Sequence, residues 1–212
     1  MTPSPSKPPP RDARFVLVGT SHAGNVGAAA RAIKVMGFGD LVLVRPRWPD
    51  VLSREETVAM ASGAADVLTR ARIVDTLPEA LAGTTWACAT AMTPRDFGPP
   101  TLAPRAHFAQ PGLAAESIAF VFGSERFGLA NEDVYRCHVC LSVPTAPGYG
   151  SLNLAQAVQL VAYEWRQALG AFPVESPVPA HRPADALAID GLVEHWRRVL
   201  VHVGHHHRLA GG

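Results

Sequence analysis

Short runs that are apolar at every position, separated from one another by helix-length amphipathic stretches, recur along this 212-residue chain. Phe15-Val-Leu-Val18, Leu41-Val-Leu-Val44 and Ile118-Ala-Phe-Val-Phe122 have no polar residue at all. A strand with one wet face alternates apolar and polar residues, so unbroken runs of this kind belong to a parallel sheet covered by helices on both sides. The pattern predicts strands at residues 15–18, 41–44, 73–74, 86–91, 118–122 and 139–143. Helices are predicted at 25–36, at 55–68, after Pro78, at 131–135 and at 152–169. Gly37 stands where a helix C-terminal cap is expected. The predicted fold class is α/β, a Rossmann-like, mostly parallel sheet.

With 48% apolar residues the chain can bury the core of one domain. Residues 1–13 hold five prolines and almost nothing apolar, and are expected to be a disordered tail. Residues 14–170 form the domain, 171–183 a Pro-rich linker, and 184–212 a helical appendage with a second amphipathic helix near 184–203. That last segment, with the linker before it, holds six of the nine histidines. No stretch of about 18 apolar residues occurs, and the first residues lack the apolar core of a signal peptide, so a cytoplasmic protein without a membrane partner is expected. The three cysteines, Cys88, Cys137 and Cys140, do not make a disulfide framework. Cys137 and Cys140 read as structural thiols rather than a metal or redox pair, since residues three apart on a strand face opposite ways. Nor can the adjacent His205, His206 and His207 all face one ion from a regular element; no metal site is expected.

Nineteen Lys+Arg against eighteen Asp+Glu leave a net charge of +1, which excludes a global basic footprint as the source of any nucleic-acid binding. Only Lys7 and Lys34 among the cations are lysine, so the positive groups are nearly all planar guanidiniums suited to phosphate.

Open α/β sheets bind ligands beyond the C-terminal ends of their strands, here the loops after Val18, Ala91, Phe122 and Val143. The first, Gly19-Thr-Ser-His-Ala-Gly24-Asn25-Val-Gly27, would let backbone approach a ligand and then opens a helix. Its glycine spacing is not the dinucleotide fingerprint, and GxxxxGK[ST] is absent. In the second, Gly123-Ser-Glu125-Arg126-Phe-Gly128-Leu129, two glycines flank an acid and a base. The third, residues 144–154, packs Pro144, Pro147, Gly148 and Gly150 before a long helix that Ser151 or Asn153 can cap.

Asn25-x-Gly27-x-x-x-Arg31, Phe122-Gly-Ser-Glu125-Arg-x-Gly128-Leu129, and Pro144 with Ser151-Leu-Asn153 together resemble, in order and spacing, the three motifs of SPOUT-superfamily (TrmH-like) RNA ribose 2′-O-methyltransferases. The phrases SHAGNVGAAARAIKVMGF and SLNLAQAVQLVAYEWR are most similar to the TrmJ type, which acts on tRNA at cytidine or uridine 32. The similarity runs over residues 15–169. It implies a C-terminal trefoil knot, a homodimer paired through the knot region, and S-adenosyl-L-methionine as cofactor, leaving S-adenosyl-L-homocysteine. Leu154, Val158, Val161 and Trp165, at helical spacing on the last helix of the domain, form a stripe that suits either such a partner or the helix's own sheet. By position it assigns Thr90, Ala91, Met92, Gly123, Val143, Gly150, Ser151 and Leu152 to the cofactor, and Arg31 with Asn25 to catalysis. Ser21, His22, Glu125, Arg126 and Asn153 are candidates for contact with substrate RNA. Gly150 departs from the family pattern, which has a serine there.

A free guanidinium has a pKa above about 12 and is a poor base, so Arg31 is expected to act electrostatically, on a phosphate and the developing alkoxide, while Asn25 orients the hydroxyl or Arg31. Two other readings compete: a non-catalytic knotted RNA-binding protein, or an enzyme with another adenine cofactor. Methylation of a different tRNA or rRNA nucleotide is a variant of the methyltransferase reading. Retention of both Asn25 and Arg31 argues against loss of the chemistry. Trp165 and Trp196 are expected to be packing anchors rather than base-stacking platforms.

Overall fold

The computed structural model describes residues 13–91, 96–173 and 184–205. The expected disordered tail at 1–13 falls outside them save for Ala13, as do Met92, His206 and His207. Contacts divide the chain into two units, 1–172 and 173–212.

Seven strands build the first unit: β1 (Arg14–Val18), β2 (Asp40–Val44), β3 (Arg72–Val74), β4 (Trp86–Thr90), β5 (Thr101–Leu102), β6 (Ile118–Phe122) and β7 (Val139–Leu141). They form one sheet in the order β3-β2-β1-β6-β4-β7-β5, and all six pairings are parallel. The helices are α1 (Ala23–Val35), α2 (Glu55–Ala61), α3 (Ala65–Arg70), α4 (Leu77–Leu81), α5 (Pro104–Phe108), α6 (Asn131–Val134) and α7 (Leu154–Ala168), with α8 (Ala186–His202) in the second unit.

The unbroken apolar runs divide their side chains between two cores. Phe15, Leu17, Leu41, Leu43, Phe120 and Phe122 point into a core shared with α1, α5 and α7, whereas Val16, Val18, Val42, Val44 and Val121 point into one shared with α4 and α6. Alternate Cβ atoms leave opposite faces of a strand, so the large side chains fill one layer and the valines the other. Trp165 on α7 is 2% exposed and meets Phe108 and Phe120 edge-on, with ring centroids 5.2 and 6.0 Å apart.

Local chemistry explains the helix ends. At the end of α1 the Phe38 amide donates to Ile33 O (3.0 Å) and the Gly37 amide to Lys34 O (2.8 Å), a Schellman closure that needs the positive φ of Gly37, +76°. Asn153, not Ser151, caps α7: its side chain accepts from the Ala155 amide at 2.9 Å, and Gln156 reaches back to the Asn153 amide. Residues 55–68 form two helices rather than one, because the chain turns at Ser62 (φ +50°) before Gly63. The pair β5 and α5 escapes sequence periodicity, being a two-residue strand behind Pro99-Pro100 and a single helical turn. Backbone bonds from Cys140 to Pro100 and from Ser142 to Leu102 fix β5 at the sheet edge.

Two expectations are corrected. Leu154, Val158, Val161 and Trp165 are buried against their own sheet, so this stripe of α7 is not free to pair two subunits. Cys137 precedes β7 rather than lying on it, and both Cys137 and Cys140 face the second core. Burial pushes the Cys137 thiol up to about 12, and the Cys88 thiol also rises through burial. Within its own unit α8 leaves Leu187, Leu192 and Trp196 uncovered, since a lone helix has no second surface of its own against which to bury an apolar stripe.

Helix α1 crosses α2 closely enough that a Cβ at Gly27 would lie 2.0 Å from Thr57 O and 2.9 Å from Ala61 N. Both obstacles are backbone. Gly27→Ala is therefore expected to destabilise the fold by about 1–3 kcal/mol, the cost of overpacking, read from chemical or thermal unfolding. A variant as stable as the wild type would show that the crossing can open.

Candidate active site

Beyond the C-terminal ends of β4, β6 and β7 lies a pocket of about 380 Å³. Thr90 and Ala91 form its floor after β4, Gly123 to Leu129 one wall after β6, and Val143, Gly150, Ser151 and Leu152 the other wall before α7. Seven of the eight residues assigned to the cofactor by resemblance thus meet around one cavity; Met92 lies outside the described residues. Phe122, Leu129, Leu141 and Leu154, which the resemblance did not assign to the cofactor, complete it as apolar surface. Phe122 and Leu141 end strands and Leu154 begins a helix, positions that could have flagged them. Thr90 spends its hydroxyl on Val121 O at 3.0 Å, which leaves it a wall and not a free donor.

The loop after β1 does not line this pocket. It is bound to its rim through Glu125, whose carboxylate accepts from Thr20 Oγ1 (3.0 Å), the Ser21 amide (2.9 Å), Ser21 Oγ (2.8 Å) and Asn25 Nδ2 (2.8 Å). Asn25 Oδ1 in turn accepts from Asn153 Nδ2 at 2.9 Å. All three motifs are thereby joined: Asn25 stands between the acid of the second and the helix cap of the third. Burial opposes ionisation of Glu125, but donors from Asn25 and Ser21 outweigh it and hold the carboxyl down at about 2. Four donors from the first loop so occupy its lone pairs that Glu125 ties that loop to the second.

Other candidates are placed differently. His22 and Arg126 are at the same rim, His22 Nδ1 lying 3.0 Å from Ser21 Oγ and the Arg126 guanidinium over the Phe127 ring. Arg31 is exposed on α1, about 9 Å along the helix axis from Asn25, and has no hydrogen-bond or ion-pair partner among the described residues. It does not border the pocket of its own chain. Gly24 and Gly27 face Glu56 and Thr57 of α2 and serve helix packing, whereas Gly19, at a positive φ of 62°, faces Ser124 of the second loop. Among the described residues no group of three or more His, Cys, Asp or Glu is placed to hold a metal.

A pocket of this size suits a small organic cofactor. Its walls are glycine-rich loops with apolar side chains and the polar Ser124, Glu125, Arg126 and Ser151, a mixture that fits the adenosine and the charged methionine parts of S-adenosyl-L-methionine. Sheet, pocket and ordered motifs define an S-adenosylmethionine-dependent RNA methyltransferase of the SPOUT class. Residues 12–163 match the SpoU rRNA Methylase family, and the chain belongs to that family. A trefoil knot is a property the family implies for it.

Among its relatives, a tRNA (cytidine/uridine-2′-O-)-methyltransferase TrmJ of Yersinia pestis (strain Pestoides F) is 42% identical over 197 residues, covering 90% of this chain and 76% of the relative. The TrmJ of Photorhabdus laumondii is 47% identical over 157 residues, covering 73% and 64%. A probable methyltransferase from Bordetella pertussis Tohama I shares its structure with TM-score 0.68 at 50% identity, over 74% of this chain and 95% of that one. TrmJ from Z. mobilis ZM4 aligns with TM-score 0.71 at 32% identity, over 93% and 83%.

Because the folded pKa of Glu125 lies below its usual 4.5, the carboxylate contributes stability that is complete above that value and is lost as pH falls toward 2. The depression corresponds to about 3 kcal/mol. In unfolding measurements between pH 4.5 and 2, Glu125→Gln is expected to lack this loss while being less stable than wild type at pH 7. Equal pH slopes in the two proteins would contradict the assignment.

Proposed function

We propose that this protein transfers a methyl group from S-adenosyl-L-methionine to the 2′-hydroxyl of a ribose in tRNA, at nucleotide 32 of the anticodon loop. The observation that carries the reading is the Asn25–Glu125–Asn153 network at the rim of the backbone-lined pocket, in a chain 42% and 47% identical to two tRNA 2′-O-methyltransferases. S-adenosyl-L-methionine supplies an activated methyl on its sulfonium, so the protein's tasks are alignment of the hydroxyl and help with its proton, and no metal is called for.

Asn25 is fixed at both ends of its amide, one to Glu125 and one to Asn153, which orients it toward the rim without freedom to rotate. Arg31 supplies positive charge to the phosphate beside the reacting ribose and to the alkoxide as it forms. Ser21, His22 and Arg126, exposed or half-exposed at the rim, contact the RNA. Since Arg31 stands away from its own pocket, the RNA site is completed by a second copy of the chain, in a homodimer whose surface is not the buried stripe of α7. The enzyme works in the cytoplasm; among the described residues no helix is long and apolar enough to cross a membrane.

Mass mapping of 2′-O-methyl groups after incubation of tRNA with protein and cofactor is expected to show one at nucleotide 32, and RNA that stays unmodified would reject the reading. Arg31→Ala is expected to lower the single-turnover rate at least about 100-fold while S-adenosylhomocysteine affinity stays within a few-fold. A rate within tenfold of wild type would remove Arg31 from catalysis. Sedimentation is expected to show a dimer at micromolar concentration, and an active monomer would contradict the shared site.

A further inference from the structure

A near-neutral chain that binds RNA needs guanidiniums held where a phosphate can meet them, and two are held on one ring after β2. After β2 the chain runs Arg45-Pro46-Arg47-Trp48, and Arg54 follows just before α2. The guanidinium carbons of Arg47 and Arg54 lie 4.9 and 4.4 Å from the centroid of the same indole, that of Trp48. Trp48 is half-buried and packs on the main core, so the ring is a fixed post and not a mobile surface side chain.

Two guanidiniums gathered on one ring repel each other. The ring's negative faces offset part of this, and Asp50 offsets more by accepting from Arg54 Nη1 at 3.1 and 3.2 Å. Arg47 is exposed and has no carboxylate partner among the described residues. Arg45 is exposed as well, at a positive φ of 45° that is uncommon for a side-chain-bearing residue. Glu55 and Glu56 come next, where a helix N-terminus attracts acids. Three arginines meet three acids over residues 45–56, so the feature is placement rather than net charge: two planar, five-donor cations are held on one ring, an arrangement complementary to the doubly accepting, negatively charged oxygens of a phosphodiester.

Position connects this cluster to the active site. The Arg47 amide donates to Thr20 O at 2.9 Å, and Thr20 Oγ1 donates to Glu125. The cluster is thus fastened through one residue to the network that holds Asn25, on the same edge of the sheet as the cofactor pocket. We propose that Arg47 and Arg54, preorganised by Trp48, form a phosphate clamp for the backbone of the RNA substrate. The inference rests on the reading of the protein as an RNA methyltransferase. Trp48 is a positioning residue here: it supports the cations and does not stack on a base.

The test uses the full chain with tRNA at several salt concentrations, calorimetry with S-adenosylhomocysteine, and single-turnover methylation at saturating tRNA. Arg47→Gln with Arg54→Gln is expected to weaken tRNA binding about tenfold at moderate salt and to flatten the salt slope by about 0.7–0.9 for each phosphate no longer neutralised. Cofactor affinity and the saturated rate should stay within about twofold. Trp48→Leu, which keeps every charge and an apolar side chain, should reproduce part of the drop in affinity, and Trp48→Phe should restore most of it. Wild-type affinity and salt slope in the double variant, while the wild type methylates tRNA, would overturn the clamp alone. A wild type that neither binds nor methylates RNA would overturn the clamp together with the functional reading. Wild-type affinity in Trp48→Leu would overturn the role of the ring.

Discussion

A parallel sheet must be covered on both faces, and that requirement governs the architecture of this chain. Each strand has to supply apolar side chains in both directions, and each connection has to return across one face as a helix. Phenylalanine and leucine on one side and valine on the other give the layers different thickness: α1, α5 and α7 lie over the bulky side and the short α4 and α6 over the slim one. Since every strand points the same way, all the loops that leave their C-terminal ends collect on one edge. The pocket is built there.

Within that edge a single carboxylate holds the loops in register. Glu125 gathers the first motif, and Asn25 passes the connection to the third. The energetic logic is that of a half-buried charge satisfied by several neutral donors, which stabilises the ionised form and ties each donor's position to the others. Removing one donor would leave the rest of the cluster less well held, so residues far apart in the chain act as a unit. The second consequence is chemical: with Asn25 held at both ends, its orientation is set before substrate arrives.

The apolar runs, Gly37 as a helix stop and a polar residue capping the long last helix of the domain were all legible from local pattern, because period, cap and turn chemistry act over a few residues. The short β5 and α5 were not, since two residues and one helical turn carry no period. Likewise Gly24 and Gly27 looked like a ligand approach, whereas their neighbours prove to be Glu56, Thr57 and Ala61 of the next helix. The stripe of α7 was ambiguous in sequence between its own sheet and a partner, and burial resolves it in favour of the sheet. The three motifs were recognisable as a set by their order and spacing, but the hydrogen bonds that join them were not: Glu125, a candidate for RNA contact in the sequence, anchors the network.

The sequence by itself determined the class of fold, because hydrophobic period is a property of the chain alone, and its three ordered motifs carried the family resemblance that implies the cofactor and the candidate site residues. Only the tertiary structure decided which of those residues meet. Asn25 is about a hundred residues or more from Glu125 and Asn153 along the chain, yet hydrogen-bonds to them at 2.8 and 2.9 Å. Arg31, only six residues from Asn25, stands apart from the pocket. The reason is geometric: helix pitch fixes the direction in which a near neighbour points, while parallel strand order brings distant loops to a common edge.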